Sequence, residues 1–204
     1  MNALKQIYLR GQSDFTLDFE GYTDKNHPRG HDYLGFYARV FEAYRKQPVR
    51  LLEIGVANGA SMWLWQQYFN MNPFQGVGID IHQGWERTTL LQPELEQDPR
   101  IQFHWGVNSR NKATYTELGQ FDIIIDDGDH SLEGQKKTFE SAWNSLKPGG
   151  LYIIEDLQSK EEAALMATYM LSTYILDKHG KTPYIFFGSK YPQRRDDIIV
   201  WAEK

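Results

Sequence analysis

The sequence contains no cysteine among its 204 residues. A disulfide framework, a thiolate zinc site and a cysteine nucleophile are therefore excluded. It also has no apolar run near the roughly 20 residues that cross a bilayer, and its opening stretch MNALKQIYLRGQSDF lacks the apolar core of a signal peptide. We therefore expect a cytoplasmic protein without a membrane span.

The chain also lacks an excess of positive charge. Its 22 Lys and Arg residues against 27 Asp and Glu residues give a formal net charge of -5, and both signs are interspersed. Binding to a nucleic-acid backbone requires a basic surface, so we expect no nucleic-acid partner. The length is that of one ordinary domain, which we place at 1–204, with the polar segment 1–31 as an irregular arm and candidate lid.

Short apolar runs alternate with segments of helical period, which is typical of a parallel sheet covered on both faces. Strands are predicted at 50–54, 76–81, 100–105, 121–126 and 150–155. Helices are predicted at 32–46 and 160–178, and a third one is centred on Phe139, Ala142, Trp143 and Leu146. The last two runs, PYIFFG and DDIIVWAEK, are joined by a connection too short for a parallel crossover. They predict an antiparallel hairpin.

The segment LLEIGVANGAS has the strand, glycine turn and helix start of a nucleoside site. Gly55 and Gly59 allow the backbone to approach a ligand closely. The spacing E-x-G-x-x-x-G differs from that of dinucleotide binders, which disfavours hydride-transfer cofactors. Asp80 ends the second strand, where a carboxylate accepts ribose hydroxyls. Glu53 is predicted to hold a cationic amine or a backbone amide. The alternative is an ordinary turn at both glycines.

Four successive segments, LLEIGVANGA, GVGIDI, FDIIIDDGDH and LKPGGLYIIEDL, resemble the motifs of class I S-adenosyl-L-methionine (SAM)-dependent methyltransferases. They are similar to the metal-dependent O-methyltransferases of macrolide and tetracenomycin sugars, and more distantly to cephalosporin hydroxylase-like proteins. The resemblance implies an α/β, Rossmann-like, doubly wound seven-stranded sheet of order 3-2-1-4-5-7-6 with helices on both faces. It also implies that SAM binds near Glu53, Gly55, Gly59 and Asp80.

In that strand order, the fourth and fifth strands are neighbours about 4.8 Å apart. Asp127 therefore meets Glu155 and Asp156 at one edge of the sheet, where carboxylates stay ionised only beside a cation. Oxygen ligands favour Mg²⁺, with Mn²⁺ or Ca²⁺ as alternatives. The competing interpretation of IDDGDH is an acidic turn that bonds local amides.

His130 follows Asp127 by three residues and is the predicted general base. The resemblance implies the same roles, with Asp127, Glu155 and Asp156 as metal ligands, and it implies that Asp126 lies nearer the cofactor. The resemblance also extends to other residues near the cofactor. These are Lys25 with Thr23, Asp24 and Tyr33 in the arm, for which an ordinary solvated loop is the alternative. Asn108 is the candidate adenine contact, although its segment GVNSR departs from the acidic or glutamine-rich string that relatives carry there.

Together these features predict a SAM-dependent, divalent-metal-dependent O-methyltransferase. Its expected acceptor is a sugar hydroxyl of a glycosylated natural product or a polysaccharide, and therefore a small molecule or a glycan. Two alternatives stay open: a catechol-type phenol as acceptor, and a SAM-binding partner protein without catalysis. The sequence also leaves a homo-oligomer open.

Overall fold

The fold is built on one seven-stranded sheet flanked by helices. The computed structural model of the protein describes residues 2–14, 23, 25, 31–82, 95–175, 181–188 and 195–204. The strands are β1 Val49–Ile54, β2 Phe74–Asp80, β3 Ile101–Trp105, β4 Phe121–Asp126, β5 Leu146–Ile154, β6 Tyr184–Phe187 and β7 Ile198–Glu203. The α-helices whose bounds both lie within the described residues are α1 Ala3–Asp14, α2 Leu34–Val40, α3 Ala60–Tyr68, α4 Lys112–Leu118, α5 Leu132–Ala142 and α6 Lys160–Met170.

The strand order is β3-β2-β1-β4-β5-β7-β6. The first five strands pair in parallel, whereas β7 runs antiparallel to both β5 and β6. The predicted order and the antiparallel final hairpin are thereby confirmed. Strand boundaries agree with the predicted ones within two residues, except that β5 starts four residues earlier, at Leu146.

Each face of the sheet is covered by its own apolar core. Ile123 and Ile125 of β4 belong to the core that contains Trp65, whereas Ile124 between them belongs to the core that contains Phe139. Successive side chains of a strand point to opposite faces. The continuous isoleucine run is therefore buried on both sides, which fixes β4 rigidly at the centre of the sheet.

The sequence predicts an irregular arm over 1–31, and the structure shows that this is wrong for the first part. Residues Ala3–Asp14 form α1. Leu4 and Tyr8, which lie one helical turn apart, are 0% and 1% exposed and pack into the core with α3. The sequence does not predict this helix because the segment is mostly polar and its buried apolar stripe is narrow. Apart from residues 23, 25 and 31, the rest of the arm and its predicted role as a lid lie outside the described residues.

The predicted helices are shorter than the sequence suggests. The segment 32–46 contains α2 and then a 3-10 turn at Glu42–Lys46. The segment 160–178 contains α6 and a π turn at Leu171–Ile175, and its last residues lie outside the described part of the chain. Among the helices that the structure describes, none combines the length and the apolarity that a membrane crossing requires.

The packing of α1 is testable with a matched pair of variants. We expect Leu4→Ala to lower the free energy of unfolding by about 2–5 kcal/mol, because it opens a cavity in the core. Leu9→Ala in the same helix removes a side chain that is 42% exposed, and it should change stability by less than about 0.5 kcal/mol. Urea unfolding measures both. Equal effects of the two variants would contradict the docking of α1.

Candidate active site

The carboxyl ends of the parallel strands surround a cavity of about 1350 Å³. Seven of the predicted site residues line it: Lys25, Gly55, Asp80, Asn108, Asp127, His130 and Asp156. Four other described residues of the predicted site lie outside this lining: Glu53, Gly59, Asp126 and Glu155. Thr23 lines the cavity as well, and Asp24 lies outside the described residues.

The turn after β1 passes very close to the turn after β4. Gly55 has φ +80°, and a Cβ built on it would lie 2.1 Å from the carbonyl oxygen of Asp127. Gly59 also has φ +80° and forms the N-cap of α3. At position 55 the left-handed φ and the close approach of the Asp127 carbonyl both require glycine. Ala57 between them has φ +47°, an unfavourable conformation for a residue with a side chain.

Asp80 presents a fixed carboxylate to the cavity. Its Oδ2 accepts a hydrogen bond of 3.0 Å from the amide of Ala57, and its Oδ1 accepts one of 2.9 Å from the amide of His82. These amides orient the group, and each oxygen keeps a lone pair for a ligand. Asn108 lies in the loop after β3, where its side-chain oxygen accepts from the amide of Arg110 at 3.0 Å.

A buried ammonium group lies among the acidic side chains at this edge. Nζ of Lys25 is 2.9 Å from Oδ2 of Asp127 and 2.8 Å from both carboxylate oxygens of Glu155. It is also 4.0 Å from Oε1 of Glu53, and Lys25 is only 1% exposed. The crowding at this edge requires a cation, and Lys25 supplies one from within the chain.

Burial dominates the electrostatics of these acids. It raises the pKa of Glu53 to about 7, although the charge of Lys25 opposes the shift. It also raises the pKa of Glu155 well above its ordinary value, with a further increase from the charge of Asp127 and an opposing effect of Lys25. The acids therefore depend on nearby positive charge to remain ionised.

Asp127, His130 and Asp156 form an open group beside the ammonium. Each offers one ligand atom, and these atoms all lie within 4.8 Å of one another. Glu155, the third predicted ligand, is not part of this group. It turns inward, where its carboxylate accepts from Lys25 and from the hydroxyl of Tyr37. The structure thus brings two of the three predicted ligands together with the predicted base.

His130 is held by the turn that starts α5. The carboxylate of Asp129 accepts from the amide of Ser131 at 2.9 Å and pairs with Arg110. The hydroxyl of Ser131 in turn caps the helix by accepting from the amide of Gly134 at 3.1 Å. Asp129 therefore bonds a local amide, as the competing interpretation of IDDGDH describes.

Asp126 does not reach the cavity. Strand periodicity puts its side chain on the same face as Ile124, where it is 1% exposed. Burial raises its pKa to about 8, and a hydrogen bond from the backbone of Gly128 opposes this shift. Its charge contributes, after burial, to the raised pKa values of Tyr115 and Tyr152. The structure therefore places Asp126 outside the lining of the cavity, and its place near the cofactor stays a prediction.

Three residues around the site were not predicted. Tyr37 bonds Glu155, while His31 and Asp197 lie behind Asp156. The four-residue spacing from Tyr33, whose hydroxyl donates to Asp156 at 2.7 Å, was an available signal for Tyr37. No local pattern links Asp197 to His31, because the contact joins distant segments of the chain.

The residues present fit a hard divalent ion and a nucleoside. Asp127 and Asp156 supply carboxylate oxygens, the ligands that Mg²⁺ and Mn²⁺ prefer, and the imidazole of His130 is compatible with Mn²⁺. Elsewhere in the lining, Gly55 lets the turn after β1 pack directly against the turn after β4, and Asp80 offers acceptors. The carboxylates of Asp127 and Asp156 and the turn at Gly55 line the same cavity.

The strand order and this edge of the sheet define a Rossmann-like methyltransferase fold. The chain belongs to the methyltransferase family: the family described as "Methyltransferase domain" matches residues 52–157, which is more than half of the chain. The matched segment runs from β1 to the residue after Asp156 and so includes most of the site described above.

Two curated relatives confirm the family resemblance drawn from the motifs. Demethylmacrocin O-methyltransferase of Streptomyces fradiae is 34% identical over 136 residues, which are 62% of this chain and 32% of that protein. The 8-demethyl-8-alpha-L-rhamnosyl tetracenomycin-C 2'-O-methyltransferase of Streptomyces olivaceus is 30% identical over 151 residues, which are 68% of this chain and 36% of that protein. The chain thus spans about a third of the length of these relatives.

Solved structures of MycE, a methyltransferase of the mycinamycin biosynthetic pathway, have a similar fold. MycE in complex with Mg, SAH and mycinamycin VI is 27% identical, with a TM-score of 0.55 over 76% of this chain and 37% of that chain. A crystal form of MycE with Mg and SAH reaches a TM-score of 0.67 over 100% of this chain and 55% of that chain, at 22% identity.

The close contact at Gly55 generates a prediction. We expect Gly55→Ala to lower the free energy of unfolding by about 2–4 kcal/mol, because the new Cβ collides with the backbone and the left-handed conformation is strained. Gly35→Ala is the matched control, since its Cβ would meet nothing within 4 Å and it lies in α2. Denaturant unfolding of both variants measures the difference, and a Gly55→Ala variant as stable as the control would contradict the geometry.

Lys25 generates a second prediction. We expect Lys25→Met to lower the free energy of unfolding by about 3–5 kcal/mol in chelator-treated buffer, because it leaves buried carboxylates without their cation. The loss should be smaller in mildly acidic buffer, because burial raises the pKa values of Glu53 and Glu155, so that these two carboxyl groups are then protonated.

The matched control is Lys147→Met, which removes an ion pair of 2.9 Å to Asp122 between partly exposed side chains. That pair should contribute less than about 1 kcal/mol. Chemical denaturation at neutral and mildly acidic pH tests both variants. Equal losses for the two lysines at neutral pH would refute the counter-ion role of Lys25.

Proposed function

We propose that this chain is a SAM-dependent, divalent-metal-dependent O-methyltransferase whose acceptor is a sugar hydroxyl of a glycosylated natural product or a polysaccharide. One observation carries the proposal: a ribose-type acceptor, Asp80, and an open metal-type group, Asp127, His130 and Asp156, line the same cavity. The names of the relatives support the sugar, since the Streptomyces olivaceus protein is a rhamnosyl tetracenomycin-C 2'-O-methyltransferase.

The cofactor part of the proposal rests on the turn after β1. Gly55 lines the cavity at this turn, and Asp80 would accept hydrogen bonds from both ribose hydroxyls while the amides of Ala57 and His82 hold its carboxylate. Asn108, which also lines the cavity, is the proposed adenine contact. The SAH bound to MycE supports SAM as the methyl donor.

The metal part of the proposal rests on Asp127 and Asp156, which would hold the ion. Glu155 would join them as a ligand if one of its carboxylate oxygens gave up its hydrogen bond to Lys25. When bound, the ion supplies a Lewis acid that acidifies and orients a hydroxyl, and SAM supplies an electrophilic methyl group on its sulfonium. His130 would take the hydroxyl proton at a ring nitrogen. Lys25 keeps Asp127 in place during this step, so the chain's own part is alignment and proton transfer.

Substitution of His130 tests the assigned chemistry. We expect His130→Ala to lower turnover by about 10²–10⁴-fold while SAM affinity stays near wild type, because general-base catalysis contributes on that order. Asp127→Ala should abolish both turnover and metal dependence. The assay follows transfer from labelled SAM to sugar and catechol acceptors, with and without EDTA.

His104→Ala is the matched control, since this histidine lies on β3 and does not line the cavity. It should keep near wild-type turnover. Transfer to catechols alone would reject the sugar acceptor, and undiminished transfer in excess EDTA would reject the metal. A chain that binds SAM but methylates none of these acceptors would favour the non-catalytic alternative.

A further inference from the structure

Asp156 is contacted from behind by a buried histidine. Nε2 of His31 lies 3.2 Å from Oδ2 of Asp156, and Nδ1 of the same ring lies 3.6 Å from Oδ1 of Asp197. His31 is 1% exposed and its ring stacks on Tyr33 with centroids 4.6 Å apart. A chain of polar contacts therefore runs from the start of β7 to the cavity.

The backbone of Asp156 is held in an unfavourable conformation. Apart from glycines, Asp156 and Ala57 are the described residues with positive φ, and Asp156 has φ +60°. Such a conformation persists in a residue with a side chain when surrounding contacts fix it. Here the contacts are the hydroxyl of Tyr33, which donates to Oδ1 at 2.7 Å, and the imidazole of His31 at Oδ2. Both carboxylate oxygens are thus held from the same side.

Asp197 is itself fixed in place. Its Oδ1 accepts a 3.1 Å hydrogen bond from the amide of Asp32, and its carbonyl accepts one of 2.7 Å from the amide of Gly188. A Cβ on Gly188 would lie 1.8 Å from Oδ2 of Asp197, so the end of β6 closes directly over this carboxylate. Asp197 is 3% exposed, and a buried carboxylate requires a polar partner such as His31.

We propose that His31, backed by Asp197, is a positioning residue that holds the carboxylate of Asp156 toward Asp127 and His130. This inference rests on the proposed function, because it takes that open group as the metal site. Hydrogen bonds to a metal-ligating carboxylate set its orientation, and their loss typically weakens metal binding by about 10–100-fold. Metal affinity is therefore the property that this pair should control.

A purely structural role predicts something different. The same contacts also tie the segment around His31 to β7, so their removal would lower stability in either case. Only positioning of Asp156 predicts that a folded variant loses divalent-ion affinity while the nucleoside end of the cavity, with Asp80, stays intact. Binding of Mn²⁺ and binding of SAH must therefore be measured separately on the same variants.

The experiment titrates Mn²⁺ into the full chain without SAM and follows free Mn²⁺ by electron paramagnetic resonance. We expect His31→Ala to raise the Mn²⁺ dissociation constant by about 10–100-fold and to leave SAH affinity unchanged. His31→Gln, which keeps an N–H donor for Asp156, should recover most of the affinity. His104→Ala, at a residue that does not line the cavity, should bind Mn²⁺ like the wild type.

Failure of this inference is distinguishable from failure of the proposed function. A wild-type chain that binds no Mn²⁺ rejects the metal site itself. A wild-type chain that binds Mn²⁺, with a folded His31→Ala variant of equal affinity, overturns the positioning role alone. If His31→Ala does not fold, the isosteric Asp197→Asn variant decides, since positioning requires it to bind Mn²⁺ more weakly and unchanged affinity overturns the proposal.

Discussion

Four acidic side chains crowd one edge of the sheet, and the rest of the site depends on how their charge is balanced. Asp127 and Glu155 share the buried ammonium of Lys25, with Glu53 4.0 Å from it. Without that cation, burial and mutual repulsion would drive these groups toward their neutral forms. Asp156, by contrast, faces the cavity and has its pKa lowered: burial alone would raise it, but the hydrogen bond and charge of His31, together with the hydrogen bond from Tyr33, outweigh that effect. The charges of Asp127 and Glu155 are thus balanced by Lys25, whereas Asp156 faces the cavity, where a divalent ion can bind.

The fold makes this crowding possible. Parallel strands deliver their carboxyl ends to one edge, and β4 and β5 are direct neighbours there. The isoleucines of β4 are buried in a core on each face, so the strand end cannot move away to relieve the repulsion. The contact between Gly55 and the carbonyl of Asp127 then joins the proposed nucleoside turn to the acidic edge, so that two reactants would meet in a single cavity.

Local pattern predicted the strands, the glycine turn after β1 and the strand-end carboxylates of the cavity, because these features leave short-range signals. The strand order came from the family resemblance of the motifs. Local pattern failed where long-range contacts decide. Lys25 reaches Asp127 across 102 residues, and no spacing in the sequence reveals that contact. Glu155 was predicted as a metal ligand from the E-D motif at the end of the fifth strand, yet its carboxylate accepts from Lys25. Asp126 ends β4 next to Asp127, yet its side chain is buried and does not line the cavity.

The most direct test of this account is a crystal structure of the chain grown with Mn²⁺ and measured for anomalous scattering. The account predicts one strong peak at metal–oxygen distance, about 2.0–2.6 Å, from carboxylate oxygens of both Asp127 and Asp156. A fully saturated crystal without a peak at this edge, with Asp127 still paired with Lys25, would contradict it.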